Sequence, residues 1–449
     1  MPRAVRDAPL RVLYVGPLPP ARGGGETVAG LVLPSLRRRG VSVHGLAALP
    51  AALAGQGTGA RSSTCDVERS ISRYPVPTLS SLLELGSSDP GYRAAEDCEL
   101  AWRLPALLRA VRPDVALIGR ESLAWSVPDI ARVHGVPTVL QVHGGMTLAG
   151  LLDDSASRFS ALRANIDRVD LVVAVAHHIA TALRSLGVAR VAVLENPVDV
   201  EAFAPRPASA ALRRTLMIPA GASVMLHASN LTRLKRPLDI VEAAAMALRQ
   251  ESRLCFVIVG DGPLRAVVQA EVARCGLQHA FRFAGWVDHA HMPDYINLAD
   301  GVVMPSEQEG QSLVYLEAQA CGRVLVASNI PAARELVVHG RTGLLFRLGD
   351  VADLAEKMLL VAADDRLRAT IGGNARGTAV SHSMDRVAAA YEDVLRRVAT
   401  LRLGSSAQAT VDDVGVDGEA MLPGVMREDV RDGGVAVPRP MRGRLDRVG

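Results

Sequence analysis

Lysine is what this sequence most lacks. Of 50 basic residues in 449, only Lys235 and Lys357 are lysine, so nearly all positive charge is guanidinium. That bias, with abundant Ala, Gly and Val, looks like the product of a GC-rich bacterial gene, and it makes each retained ammonium a position that asks for a reason. Surplus charge is lacking too. A net charge of +3 excludes the large clustered excess that nucleic-acid binders carry. Aromatics make up 3% of the chain, so a core must be built from Ala, Val and Leu. Cysteine is sparse: Cys65, Cys98, Cys255, Cys275 and Cys321 form no close pair. That spacing excludes a disulfide framework or a thiolate metal site and predicts free thiols in a reducing cytoplasm. No run approaches the roughly 18 apolar residues of a membrane span. The N-terminus offers Arg3 and Arg6 and then only a five-residue apolar run, which is no signal peptide. A cytoplasmic protein is expected.

What is present is a repeated alternation. Apolar runs at 11–15, 41–46, 114–119, 137–143, 171–175 and 191–195 are separated by segments of helical period, such as 26–38, 93–111 and 176–186. Strands that are apolar throughout imply parallel sheets covered on both faces. The pattern pauses over a Pro/Ala-rich stretch from Asn196 to Ala211. It then restarts with 223–228, 254–260, 281–285, 301–305 and 324–328. A length of 449 suits two domains of roughly 200 residues. The expected fold class is therefore α/β, with two consecutive doubly wound parallel-sheet domains, residues 1–200 and 201–382. Residues 383–400 place Val387, Tyr391, Val394 and Val398 on one face of a terminal helix, with the segment taken to 403. From 404 to 449 no aromatic appears and Gly, Pro, Asp and Arg dominate, a composition that predicts disorder. Segment 47–92 is Gly/Ser/Ala-rich and yields no element.

The stretch Pro305 to Gly322 carries the most chemistry. A strand ends at Pro305, a polar loop holds Glu309, and a helix begins near Ser312, which can cap it. Glu317 falls in that helix's second turn. Helix amides at the carboxyl end of a parallel strand favour an anion, and two carboxylates beside them can accept hydrogen bonds from sugar hydroxyls. His143 closes a strand in Val-His-Gly, before Gly144-Gly145. Lys235 follows the first strand of the second domain. The loop 17–26 and Gly260-x-Gly262 lack the G-x-G-x-x-G order, so nicotinamide binding is unsupported. No His/Asp/Glu cluster or Asp-x-Asp suggests a metal. His177 and His178 open a helix after Val175-Ala176 and are read as its terminal polar residues, and Asp114 and Asp288 are assigned no chemistry.

The paired glutamates, with Pro-Ser before them and Ala-x-Ala-Cys-Gly after, resemble the motif of the retaining family 4 glycosyltransferases, which have the GT-B fold. Other segments follow in the family's order: Gly23-Gly24-Gly25-Glu26, Val-His-Gly (142–144), Glu-Asn-Pro-Val-Asp (195–199), Val-Gly-Asp-Gly-Pro-Leu (259–264), Ala-Gly-Trp-Val (284–287) and Arg-Thr-Gly-Leu-Leu-Phe (341–346). The likeness covers about residues 10–400. Ser229-Asn230 with Lys235-Arg236 resembles a subgroup that includes the N-acetylglucosaminyl malate synthases.

The resemblance implies two facing Rossmann-like domains, the last helix crossing back to the first. It implies transfer of a hexose or N-acetylhexosamine, with retention, from a nucleotide sugar, UDP-linked, to a hydroxyl of a small acceptor, with no further cofactor. His143, Glu309 and Lys235 become the catalytic candidates. Gly24, Asn230, Arg233, Lys235, Gly260, Glu309, Gly310, Gln311, Ser312, Leu313 and Glu317 become the donor-binding set. The family places an Arg at the position of Asn230, and Arg233 is the expected substitute. Val259 to Asp261 and Arg282 to Gly285 would edge the base. The acceptor would lie near loop 17–26, Arg120-Glu121 and 143–147. Arg37-Arg38-Arg39 would suit anionic lipid, but a helix C-terminus also favours three arginines in solvent, so a soluble acceptor is favoured. Two other classes fit the same motifs: another GT-B enzyme such as a sugar-nucleotide epimerase, and a non-catalytic sugar-nucleotide binder.

Overall fold

The computed structural model describes residues 9–18, 23–49, 71–75, 90–144 and 164–400. The proposed tail 404–449, Cys65, and parts of the acceptor loops (19–22 and 145–147) lie outside them. Two parallel sheets form. The first contains β1 (Arg11–Val15), β2 (Ser42–Leu49), β3 (Ile71–Pro75), β4 (Val115–Ile118), β5 (Thr138–Val142), β6 (Leu171–Ala174) and β7 (Val191–Val193), in the order β3-β2-β1-β4-β5-β6-β7. The second contains β8 (Ser223–Ala228), β9 (Leu254–Val259), β10 (Phe281–Gly285), β11 (Gly301–Met304), β12 (Val324–Ser328) and β13 (Leu344–Phe346), in the order β10-β9-β8-β11-β12-β13. The expected doubly wound pair of domains is what forms. Two strands were not foreseen: β3, at one sheet edge inside the unreadable 47–92, and the three-residue β13 at an edge of the other.

Six helices matter for the site: α1 (Gly24–Arg38), α2 (His177–Ser185), α3 (Leu313–Ala320), α4 (Pro331–Leu336), α5 (Val351–Ala363) and α6 (Met384–Thr400). Central strands such as β4, β5 and β9 are buried along their whole length, because helices cover both faces. The order of strands reverses between β1 and β4, and between β8 and β11. Crevices open at the carboxyl ends of strands at such points, and the two face each other.

The chain crosses between the sheets twice. Val198 donates its amide to the carbonyl of His382 at 2.9 Å and bridges Ser383, so the two crossing segments are paired. After the second crossing α6 lies on the first sheet's layer. Its Val387, Tyr391, Leu395 and Val398 are buried among residues of α1 and the strands. Each such side chain removes apolar surface worth about 1.5–3 kcal/mol. Gln141 on β5 donates to the Tyr391 hydroxyl at 2.7 Å, which satisfies a polar pair inside that apolar contact. Arg39 pairs with Glu392 of α6 at 2.7 Å, Arg37 donates to the Val43 carbonyl and Arg38 to Ser35 Oγ, so the basic triplet is engaged by its own chain. Among the described residues no helix is long and apolar enough to cross a membrane, and Cys98, Cys255, Cys275 and Cys321 are unpaired.

Candidate active site

One cavity of about 420 Å³ lies between the two sheets. Loops after β1, β5, β8, β9, β10 and β11 all reach it, so every wall stands at the carboxyl end of a strand. His143, Lys235, Glu309, Gly24, Asn230, Gly260, Gly310, Gln311, Ser312, Leu313 and Glu317 line it together. Arg233 does not. It is exposed and absent from the wall. Residues 233–235 form one turn of 3₁₀ helix, in which residues two apart point about 120° away from each other. Lys235 faces the cleft from that turn and Arg233 leaves it in another direction.

Lys235 Nζ donates to Glu309 Oε1 at 2.6 Å, and the Ser306 hydroxyl donates to the same oxygen at 2.7 Å. The Glu309 side chain is 7% exposed and the Lys235 side chain 24%. A carboxylate this buried needs such partners, since desolvation would otherwise disfavour its charge. The ammonium is thereby held at the cleft wall.

The start of α3 stands open. Ser312 occupies the cap position, but its side chain makes no capping hydrogen bond; the expected cap is one of place and not of bonding. The first amides of α3 are therefore not occupied by that hydroxyl, and Ser312, Leu313 and Val314 line the cavity. Such a terminus favours negative charge. On the opposite wall, Gly23, Gly24 and Gly25 bring the start of α1 to the same space. Glu26 folds back over Gly23, where its carboxylate sits at the start of that helix.

Glu317 carries a partner, His289, that no sequence motif signals. It is 4% exposed, and its Oε1 takes a hydrogen bond from His289 Nε2 at 2.8 Å. His289 also packs against Phe203, ring centroids 5.3 Å apart. Burial lowers the His289 pKa, but the hydrogen bond and charge of Glu317, with Asp288 and Asp199 beyond, outweigh it and leave the pKa raised. The folded protein thus holds this proton more tightly than the unfolded chain. The resulting stability is complete below the ordinary value of 6.5 and is lost as pH rises through the folded value. His289→Gln is expected to lower the melting temperature most near pH 6, with the gap from wild type narrowing toward pH 9. Melts across that range check it, and a gap independent of pH would refute the ion pair.

His143 follows β5. Burial alone pushes its pKa down to about 4, so the ring is neutral near pH 7. Glu121, expected on the acceptor side, is turned inward and accepts the Gly144 amide at 2.9 Å, fixing the turn just after His143. Arg120 pairs with Glu96, and neither Arg120 nor Glu121 lines the cavity. Val259, Gly260, Trp286 and Val287 form the outer wall. Asp261 and Arg282 do not line it, and Arg282 donates instead to the Met217 carbonyl at 2.9 Å. Gly260 has φ +114°, and an added Cβ would meet the Ser229 carbonyl at 1.9 Å, so only glycine fits there.

Three consecutive loop residues reach across the cleft. The Glu309 carbonyl lies 3.3 Å from His178 Nε2. A Cβ on Gly310 would come 2.0 Å from the His143 carbonyl oxygen. Gln311 accepts the Asn196 amide, receives Asn196 Nδ2 at its own carbonyl at 2.9 Å, and donates to Glu195 at 3.3 Å. Its side chain therefore serves the crossing segment. Among the described residues no group of His, Cys, Asp or Glu could hold a metal.

Comparisons agree with this architecture. The family model described as Glycosyltransferase Family 4 matches residues 22–202, and the one described as Glycosyl transferases group 1 matches 222–364. The chain is 31% identical over 290 residues to D-inositol 3-phosphate glycosyltransferase of Thermobispora bispora, covering 61% of this chain and 67% of that one. It is 26% identical over 269 residues to N-acetyl-alpha-D-glucosaminyl L-malate synthase of Bacillus anthracis, covering 58% and 69%. About a third of each relative falls outside the match. The Anabaena HepE structure in complex with UDP-glucose superposes with a TM-score of 0.68 at 20% identity, over 86% of this chain and 99% of that one. The facing sheets are the GT-B fold, and the molecule is a glycosyltransferase. The chain belongs to glycosyltransferase family 4.

Proposed function

We propose that the enzyme moves a hexose or N-acetylhexosamine, with retention, from a UDP-sugar to a hydroxyl of a small soluble acceptor. The observation that carries this reading is one cavity in which Lys235, the open start of α3, Glu309 and Glu317 stand on one side and His143 on the other. The diphosphate lies against the Lys235 ammonium and the α3 amides, which offset the charge that grows as the glycosidic bond breaks. Glu317 receives the ribose hydroxyls, with His289 orienting its carboxylate. Glu309 receives a hydroxyl of the sugar ring. Asn230 sits beside Lys235 at the wall, with no guanidinium from Arg233 to assist.

A neutral His143 suits the developing positive charge at the anomeric carbon, because an imidazolium there would repel it. The bond from the anomeric carbon to the phosphate oxygen breaks, and the acceptor oxygen bonds on the same face. The acceptor's proton passes to the departing phosphate oxygen. A neighbour of this fold was solved with UDP-glucose and two relatives are named for glycosyl transfer to, or synthesis of, small polar molecules. Both facts favour this donor and acceptor class.

The test is a panel of UDP-, ADP- and GDP-sugars. UDP-sugars are expected to raise the melting temperature and to release UDP slowly in water, faster with an acceptor from cell extract. A folded protein that answers only to another nucleotide, or to none, would sink the UDP assignment. Interconversion of donors without any acceptor would favour an epimerase.

A further inference from the structure

Glu335 and His178 belong to neither the donor set nor the acceptor set, yet they join the two domains beside the site. Glu335 lies on α4 of the second domain, and α2 belongs to the first. The Glu335 carboxylate accepts the first two amides of α2, from His177 at 2.9 Å and from His178 at 2.5 Å. Those amides have no partner inside their own helix, so the second domain supplies the first domain's helix cap. The same carboxylate takes His178 Nδ1 at 2.7 Å. The other nitrogen of that ring faces the Glu309 carbonyl at 3.3 Å. One ring therefore meets the second domain at both nitrogens, the Glu335 carboxylate at Nδ1 and the Glu309 carbonyl at Nε2. Ile179, next on α2, packs toward Gly310. The acidic partner is held charged: burial raises the Glu335 pKa, but the His178 side chain and the two amides outweigh that and leave it lowered.

We propose that Glu335 and His178 are positioning residues for transfer. Their cross-domain pair presses α2 onto the Glu309–Gln311 loop, so that cleft closure and the conformation of that loop become one event. The substrate-facing half of this inference rests on the donor reading above. Lys235 and Ser306 fix the Glu309 carboxylate from the second domain; His178 fixes its backbone from the first. Breaking the pair would let the domains part and would leave Glu309 supported from one side only, while the nucleotide's contacts within the second domain would stay in place.

The experiment uses the full chain carrying Glu335→Ala, Glu335→Gln or His178→Gln. Small-angle scattering without ligand reads closure. Calorimetry with UDP reads the second domain, and UDP release from UDP-glucose and UDP-N-acetylglucosamine reads the chemistry. Glu335→Ala is expected to increase the radius of gyration and to slow UDP release about tenfold or more, because displacement of the reacting groups by about 1 Å can cost up to about 100-fold in rate. UDP affinity is expected to change less than about twofold. Glu335→Gln, which keeps an acceptor for the amides, should fall between Ala and wild type, and His178→Gln combined with Glu335→Ala should cost no more than the worse single change. Unchanged scattering overturns the clasp, whatever the donor is. Unchanged UDP release in an opened molecule overturns the positioning role, as does a parallel loss of UDP affinity. A wild type that binds no UDP-sugar would instead defeat the donor assignment, and scattering would still decide the clasp.

Discussion

Replacing Lys235 by alanine is expected to slow UDP release from a UDP-sugar about 100- to 1,000-fold. That is the range seen when one preorganised donor to a developing oxyanion is removed, about 2.7–4 kcal/mol. Two losses coincide. The diphosphate loses the ammonium that meets its growing charge, and the nearby Asn230 carries no charge to replace it. The Glu309 carboxylate, 7% exposed at its side chain, loses its ion pair with Lys235 and keeps the Ser306 hydroxyl. Removing the ammonium leaves a buried carboxylate short of a partner, so a lower melting temperature should accompany the kinetic loss. Lys235→Arg should rescue poorly, because a planar fork does not reproduce a compact point charge 2.6 Å from one carboxylate oxygen.

Lys357 provides the matching control. It pairs with Asp353 at 3.0 Å and with Glu356 at 3.1 Å on α5, away from the cleft. It lines no part of the cavity, so Lys357→Ala should release UDP at the wild-type rate. Equal rates for Lys235→Ala and wild type would remove Lys235 from the mechanism. Equal losses for both lysine variants would show that the effect is general to charge.

Lysine scarcity makes Lys235 visible in the sequence, and the structure places it, but not its neighbour Arg233, in the cavity wall. The family's spacing placed an ammonium at the right strand end, and it does line the cavity. Arg233 was proposed on proximity along the chain, but a 3₁₀ turn separates the directions of the two side chains. The strands were legible because burial on both faces makes them apolar throughout. β3 was not, since its sequence, Ile-Ser-Arg-Tyr-Pro, lies at a sheet edge and lacks that pattern. His289, Glu335 and His178 were illegible for a different reason. Each acts through a partner distant in the chain, 28 residues away for His289 and 157 for His178, and no local period records such a pairing. Gln311 lines the cavity as expected of a donor-side residue, and its side-chain amide bonds Asn196 and Glu195 at the crossing, a pairing no local pattern records.

Gly310→Ala is expected to be nearly as damaging as loss of Lys235, by geometry and with no change of charge. An alanine Cβ would stand 2.0 Å from the His143 carbonyl oxygen, where real Cβ contacts essentially never fall below 3.0 Å. The neighbour is backbone in the other domain, so no side chain can swing aside. The domains or the loop must therefore shift by about 1 Å or more, and misplacement on that scale can cost about 100-fold in rate. The residues facing UDP from the second domain are not themselves displaced if the cleft opens. Calorimetry should then find UDP affinity within a few-fold of wild type, while UDP release from the sugar donor falls about 100-fold and scattering reports an expanded molecule. Gly373→Ala supplies the control, because nothing lies within 4 Å of its added Cβ and it sits within a helix spanning Asp365–Ser381. There the same substitution should leave the rate unchanged and raise stability by about 0.5–1 kcal/mol. Wild-type turnover and scattering in Gly310→Ala would mean that His143 and the Glu309–Gln311 loop do not meet in the working enzyme. The closed cleft would then not be the state in which sugar is transferred.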